Sequence, residues 1–118
     1  MLVNCVAYQN GNKLDDISVS AISDFVERDE CFDWVALRDA SHDELTEMQT
    51  EFGLHPLAVE DAHHAHQRPK IEEYADSIFA VLHVVELVGE EITVGEINIF
   101  VGRNYVLSVR NRTQQSLL

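Results

Sequence analysis

Short apolar and polar runs at the start of the chain predict strands. Residues 2–8 alternate weakly between apolar and polar side chains, which is typical of a strand at a sheet surface. Asn10 and Gly11 follow, and this dipeptide strongly favours a two-residue hairpin turn, so we expect residues 13–17 to pair back. The run CFDWVALRD at residues 31–39 has the pattern of a short buried strand.

Apolar residues at helical spacing predict two helices in the first half of the chain. Within residues 20–28, Ile22, Phe25 and Val26 recur at this spacing. Ser41 and Glu44 form a capping-box pattern at the start of the second helix, and Gly53 is suited to end it. One apolar stripe runs along this helix, made of Leu45, Met48 and Phe52.

A third, shorter helix is predicted from Pro56 to about Ala65. Proline is tolerated in the first helical turn, where its missing N–H is not needed. The helix must end before Pro69, because the residue before a proline is pushed towards an extended conformation.

Everything after Pro69 has the pattern of a sheet. Residues 78–87 are apolar on both alternating sets, which is the mark of a strand covered on both faces. Turn residues then separate runs at 92–101 and 105–110, and the last residues, TQQSLL, resemble the beginning of a helix. The order β-β-α-β-α-α-β-β-β predicts an α/β fold with a mixed, largely antiparallel sheet flanked by helices.

Composition and charge limit the functions that this chain can have. Its 118 residues are enough for one domain with a core, and 21 acidic against 8 basic residues give a formal charge of −13. Such a surface repels phosphate backbones and attracts cations, so we expect no nucleic-acid partner. Acidity that serves solubility alone is an equally good explanation.

The cysteine pattern and the N-terminus predict a soluble chain in a reducing compartment. Cys5 and Cys31 lie far apart without a pairing pattern, as buried apolar residues do. The N-terminus has no signal-peptide pattern, and the longest apolar-rich stretch, residues 77–88, is too short to span a bilayer.

The stretch EDAHHAHQRPKIEEY, residues 60–74, carries the candidate chemistry. On a helix that turns about 100° per residue, the positions expected to face the sheet are Leu57, Ala58, Ala62 and Ala65. Glu60, His63 and His64 fall on the opposite side, with Asp61 at the boundary. His66 lies near the helix end, where a cationic imidazole would be favoured by the helix dipole.

Three interpretations of this stretch remain open. The first is a zinc site, which the pattern disfavours. One short helix cannot close three of its own side chains around zinc, and two histidines four apart with a Glu between them are absent. Magnesium is different, because one or two carboxylates can hold it through its waters, so Glu60 and Asp61 could form half of such a site. Alternatively, both are ordinary solvated acids. No nucleophile elbow or phosphate-binding loop is present, and we do not expect an enzyme.

Three stretches of the sequence resemble a known family. FGLHPLAVEDAHHAHQRPKIEEYADSIFAVL at residues 52–82 closely resembles the cytoplasmic domain of the CorA magnesium transporters. GEINIFVGRNYVLSVR at residues 95–110 and FDWVALRDASHDEL at residues 32–45 are similar to further elements of that domain. The resemblance covers most of the chain and is weakest over the first thirty residues.

This resemblance implies an α/β/α domain that is part of a larger transporter. Residues 1–118 would be a single cytoplasmic regulatory domain fragment without the stalk helix, the two membrane helices and their Gly-Met-Asn loop. The full-length protein would be a homo-pentamer at the cytoplasmic face of the cell (inner) membrane, reaching the membrane only through the missing C-terminal segment. As a fragment the domain would be soluble and could not transport ions by itself.

The resemblance also implies the metal ligands. In the family the acids of the E-D motif contribute to regulatory divalent-ion sites between neighbouring subunits, and they match Glu60 and Asp61, with Asp61 the principal ligand. His66 matches the family's histidine before Gln67, whereas His63 and His64 match nothing. The implied ion is Mg²⁺, with Co²⁺, Ni²⁺ or Zn²⁺ as alternatives. Two rival functions remain: the same domain of a related zinc transporter, and a metal-free acidic module that binds a protein.

Overall fold

Seven strands and three helices make up the part of the chain that the structure, a computed structural model, describes, namely residues 1–64 and 67–112. The strands are β1 (Leu2–Gln9), β2 (Asn12–Asp16), β3 (Cys31–Arg38), β4 (Lys70–Tyr74), β5 (Ser77–Val88), β6 (Glu91–Val101) and β7 (Tyr105–Asn111). The helices are α1 (Ile22–Val26), preceded by a 3₁₀ turn at Val19–Ala21, then α2 (His42–Phe52) and α3 (Pro56–His63). The predicted terminal helix in TQQSLL lies outside the described residues.

All seven strands form one mixed sheet in the order β2-β1-β3-β7-β6-β5-β4. Only β3 and β7 are parallel, and the other five neighbouring pairs are antiparallel. The predicted α/β class with a largely antiparallel sheet is therefore confirmed. Asn10 and Gly11 both have positive φ, as a type I′ hairpin turn requires. The sequence interpretation missed one strand, β4, which is short and lies at the sheet edge.

The helices pack on one face of the sheet and enclose a single core. Ser41 accepts a hydrogen bond from the Glu44 N–H while Glu44 accepts one from the Ser41 N–H, and Gly53 ends α2 in the left-handed conformation, as predicted. Buried side chains of α2 and α3 meet those of the central strands. The largest are Ile22, Leu37, Met48, Phe79 and Leu107.

The opposite face of the sheet is not covered by any helix in residues 1–64 and 67–112. Residues 78–87 were predicted to be covered on both faces, but Ile78 and Leu82 are 42% and 43% exposed. The prediction was wrong for the described residues because the helices found there all pack on the face of Phe79 and Val81. An apolar sheet face is thus left exposed.

Asp33 is a buried carboxylate beneath the helices. It is 0% exposed, and neither of its side-chain oxygens has a hydrogen-bond partner in the described chain. Burial raises its pKa to about 6, because a charged carboxylate is poorly solvated there. The neighbouring Cys5 thiol has its pKa raised to about 11, first by burial and then by the charges of Asp33 and Asp16.

We expect Asp33 to make folding stability depend on pH. Its folded pKa lies above the unfolded value, so its favourable contribution is complete below that unfolded value and is lost as the pH rises through about 6. Urea unfolding of Asp33→Asn should therefore show a stability advantage over the parent chain that is larger at pH 7.5 than at pH 5. The exposed Asp29→Asn variant should keep the parent's pH dependence, and an equal offset for Asp33→Asn at both pH values would contradict the assignment.

Candidate functional site

Helix α3 is fixed at its first turn by His55. The Nδ1 atom of His55 accepts a hydrogen bond from the Leu57 N–H at 3.2 Å, which satisfies one of the free donors at a helix start. The same ring stacks on Tyr74 of β4 with centroids 4.3 Å apart. Pro56 occupies the first turn as predicted. The helix that carries the acidic pair is thus anchored to the edge strand of the sheet.

The face that α3 buries agrees with the predicted one at Ala58 and Ala62 but differs at Leu57. The buried residues are Ala58, Val59 and Ala62, whereas Leu57 is 55% exposed. The prediction for Leu57 was wrong, because Val59 and not Leu57 lies on the buried side of the helix with Ala58 and Ala62. The helix also ends at His63, two residues before the predicted end, and Ala65 lies outside the described residues.

Asp61 contacts Lys70, the first residue of β4. The Lys70 Nζ atom donates to Asp61 Oδ2 at 2.7 Å and lies 2.8 Å from Glu72 Oε1. The ammonium is therefore shared by two carboxylates, one on α3 and one on β4. Nothing in the sequence indicated that Asp61 and Lys70 would be partners.

The far side of this cluster is completed by Tyr74, whose hydroxyl donates a hydrogen bond to Glu72 Oε2. Hydrogen bonds from Lys70 and then Tyr74 lower the pKa of Glu72. The hydrogen bond to Glu72 raises the pKa of the Tyr74 hydroxyl to about 12. Hydrogen bonds to Asp61 and then Glu72 raise the pKa of Lys70, so Lys70, Glu72 and Tyr74 keep their usual charges at neutral pH.

The other predicted ligands occupy different positions. Glu60 is exposed on the outer side of α3, as predicted, and its backbone carbonyl accepts a hydrogen bond from the exposed His64 Nδ1 at 2.8 Å. The structure thus displays Glu60 to solvent beside Asp61, which is half-buried. His66 lies outside the described residues. Among the described residues, no group of three His, Cys, Asp or Glu side chains is arranged to hold a metal ion.

His63 packs against His42 of α2 instead of pointing freely into solvent. The two imidazole rings stack with centroids 4.2 Å apart. They border a cavity of about 410 Å³ whose lining also includes Asp39, Leu45, Asn111 and Arg112. Burial, followed by the nearby charges of His42 and His64, lowers the pKa of His63.

Two buried polar residues that sequence reasoning missed lie on β6. Glu96 and Asn98 are both 0% exposed. Glu96 Oε1 accepts the Gln67 N–H at 2.9 Å, and His83 Nε2 donates to the Gln67 carbonyl at 2.7 Å. Glu96 and His83 together hold the segment that connects α3 to β4. The signal was present in the sequence, because Glu96 and Asn98 alternate with Ile97 and Ile99 and so lie on the same side of β6 as Phe100.

Three solved structures share this fold. The chain aligns over 97% of its length with the complete CorA magnesium transporter from Methanocaldococcus jannaschii, at 19% identity, a TM-score of 0.64 and 34% coverage of that chain. The soluble domain of the same transporter gives 20% identity, a TM-score of 0.61 and 43% coverage. The full-length CmaX protein gives 16% identity, a TM-score of 0.73 and 36% coverage, again over 97% of this chain.

Sequence comparison identifies the family. Residues 29–117 match the family described as CorA-like Mg²⁺ transporter protein. The chain is also 32% identical over 75 residues to a protein of Bacillus subtilis (strain 168) named "Putative metal ion transporter YfjQ". The chain belongs to the family of CorA-like Mg²⁺ transporter proteins, and the predicted family is confirmed.

The chain corresponds to only part of these relatives. The match to YfjQ covers 64% of this chain but 23% of that protein, and the matched share of each solved chain is below half. None of the helices in the described ranges, 1–64 and 67–112, is both long enough and apolar enough to cross a membrane.

The stacking of His42 on His63 predicts that a change at His42 will alter the pKa of His63. Replacing His42 by Gln removes one of the positive charges that lower the pKa of His63, so we expect that pKa to rise. The pH dependence of the imidazole proton signals in NMR spectra would measure it. His83→Gln, which lies beside Gln67 instead, should leave His63 unchanged, and an unaltered His63 titration in His42→Gln would contradict the proposed contact.

Proposed function

We propose that residues 1–118 are a single cytoplasmic regulatory domain of a CorA-like divalent-cation transporter and that this domain senses the transported ion. The domain would gate transport through metal sites between neighbouring subunits, as the resemblance of residues 52–82 implies. Family membership supports the transport setting. The observation that supports the sensing role is the acidic pair on α3, in which Glu60 is exposed and Asp61 is half-buried.

In this proposal Asp61 is the principal ligand and Glu60 the second. Both are hard oxygen donors, as magnesium prefers, and magnesium can be bound through one or two carboxylates while it keeps several waters. The two residues would supply half of a site, and a neighbouring subunit would supply the facing acid. His66 is proposed as a further ligand, as the resemblance implies. The ion would be Mg²⁺, with Co²⁺, Ni²⁺ or Zn²⁺ as alternatives.

The mechanism follows from repulsion between carboxylates across a subunit boundary. Two such charges about 4 Å apart repel by roughly 1 kcal/mol in water and by about 4 kcal/mol at an effective dielectric near 20. A divalent ion between them replaces this repulsion with attraction. In a pentamer, five sites that each contribute about 1 kcal/mol approach the roughly 5.5 kcal/mol needed to invert a two-state equilibrium. Weak sites could then close the transporter when the ion is plentiful at its cytoplasmic face.

A specific observation favours a second candidate, the metal-free acidic module. Asp61 already has a cationic partner in Lys70, so its charge is compensated without a divalent ion. Under this alternative the acidic surface would bind a protein, and no divalent ion would bind near α3. The zinc-transporter alternative draws support from His63, whose lowered pKa keeps it in the neutral form that binds zinc.

Direct binding distinguishes these candidates. We expect Mn²⁺, a paramagnetic stand-in for Mg²⁺ among oxygen ligands, to broaden the NMR signals of α3 and the start of β4 in the 118-residue chain. Excess Mg²⁺ should reverse the broadening, and Asp61→Asn should abolish it. Asp15→Asn, which removes an exposed acid on β2, serves as the matched control. Equal broadening in the Asp61→Asn and parent chains would refute the assigned site.

The gating role needs a transport assay. In a transport-competent chain that contains this domain, we expect Asp61→Ala to leave transport active at high internal magnesium, because the closing interaction is lost. Uptake measured at low and high internal magnesium would test this. Normal shut-off of the Asp61→Ala variant would contradict the sensing role.

A further inference from the structure

The Lys70 ammonium lies close to two carboxylates and one aromatic ring. Its Nζ atom is 2.7 Å from Asp61 Oδ2 and 2.8 Å from Glu72 Oε1. It also lies 5.9 Å from the centre of the Phe79 ring, within the range of a cation–π interaction. The Lys70 side chain is only 27% exposed, so water screens these interactions less than it screens a surface pair. Lys70 is thus held by a carboxylate from α3, a carboxylate from β4 and an aromatic face.

This position conflicts with metal binding at Asp61. The Lys70 ammonium already takes up Asp61 Oδ2 at 2.7 Å, so a divalent ion would have to share this carboxylate with a positive charge. An ion beside Asp61 would also lie within a few ångströms of the Nζ charge and would be repelled by it. The ion and Lys70 therefore compete for Asp61.

We propose that Lys70 is a built-in counter-ion that occupies Asp61 when no divalent ion is bound and must release it when one binds. This inference rests on the proposed function, since it takes Asp61 as the metal ligand. It adds a regulatory residue that sets how weakly the site binds. The exchange makes the site selective for doubly charged ions, because a monovalent ion brings no more charge than the ammonium that it would have to displace.

The surrounding contacts make this exchange inexpensive for Lys70. When Asp61 turns to a divalent ion, Lys70 keeps its ion pair with Glu72, so the ammonium is not left unpaired. Glu72 itself stays in place through the hydrogen bond from Tyr74. Tyr74 in turn is stacked on His55, so the start of α3 stays anchored while the Asp61 end of the helix is released.

The exchange also couples ion binding to the position of α3. Without the ion, Asp61 and Lys70 connect the last turns of α3 to β4. With the ion, that connection is replaced by a bridge to the neighbouring subunit. The ion-free state would therefore be held by an interaction within the chain and the ion-bound state by an interaction between chains.

Removing the Lys70 charge tests the competition. We expect Lys70→Met, which keeps the apolar stem against Phe79, to bind Mn²⁺ and Mg²⁺ at least about tenfold more tightly than the parent chain. Lys70→Arg keeps the charge and should bind nearly as weakly as the parent. Lys13→Met removes an exposed lysine that pairs with Asp16 on β2 and should change nothing. The measurement is the Mn²⁺ titration of NMR signals with Mg²⁺ competition.

The outcomes separate this inference from the proposed function. Loss of binding in Asp61→Asn together with unchanged or weaker binding in Lys70→Met would overturn the counter-ion role and leave the metal site standing. Unchanged binding in Asp61→Asn would overturn the site itself. If Lys70→Met does not fold, Lys70→Gln takes its place.

The unmodified chain gives an independent test. In its ion-free state the Lys70 ammonium protons should exchange slowly with water, because Nζ donates to two carboxylates. Saturating Mg²⁺ should speed this exchange as the Asp61 contact is released, whereas unchanged exchange would overturn the inference.

Discussion

The ion pair between Asp61 and Lys70 is the interaction on which the candidate site depends. It spans 2.7 Å between a helix and an edge strand, and it brings together residues that lie on opposite sides of the turn at Pro69. The partners of this pair extend through Glu72 and Tyr74 to the ring of His55. One continuous set of contacts therefore fixes both ends of α3 on β4 and decides where the acidic pair is presented.

A second set of contacts holds the connection between α3 and β4 from below. Glu96 is fully buried on β6, yet it accepts a hydrogen bond from the backbone of Gln67. A buried carboxylate is costly unless it is hydrogen-bonded; Oε1 of Glu96 receives the backbone donor, whereas Oε2 has no hydrogen-bond partner among the described residues. His83 adds a bond to the Gln67 carbonyl from the same side. The position of Lys70, three residues further on, follows from this anchoring.

One apolar face of the sheet is exposed in the described part of the chain. The helices of the described residues pack on one face only, and Ile78 and Leu82 on the other face remain exposed. Apolar side chains on both alternating sets of β5 are typical of a strand buried on both faces. The chain spans less than half of each solved relative with the same fold. The sequence of β5 thus carries a pattern that the described residues satisfy on one face only.

Local signals determined much of this protein without tertiary information. The Asn10-Gly11 turn, the Ser41 capping box and the Gly53 helix end all depend on neighbouring residues, and each formed as predicted. The sequence also predicted Pro56 in the first turn of α3, Glu60 on its exposed side, and the family. Tertiary structure decided the rest: the rotation of α3 that buries Val59 and exposes Leu57, the partnership of Asp61 with Lys70, and the stacking of His63 on His42. These depend on which elements become neighbours in the folded chain, and helical periodicity alone does not say whether Leu57 or Val59 will meet the sheet.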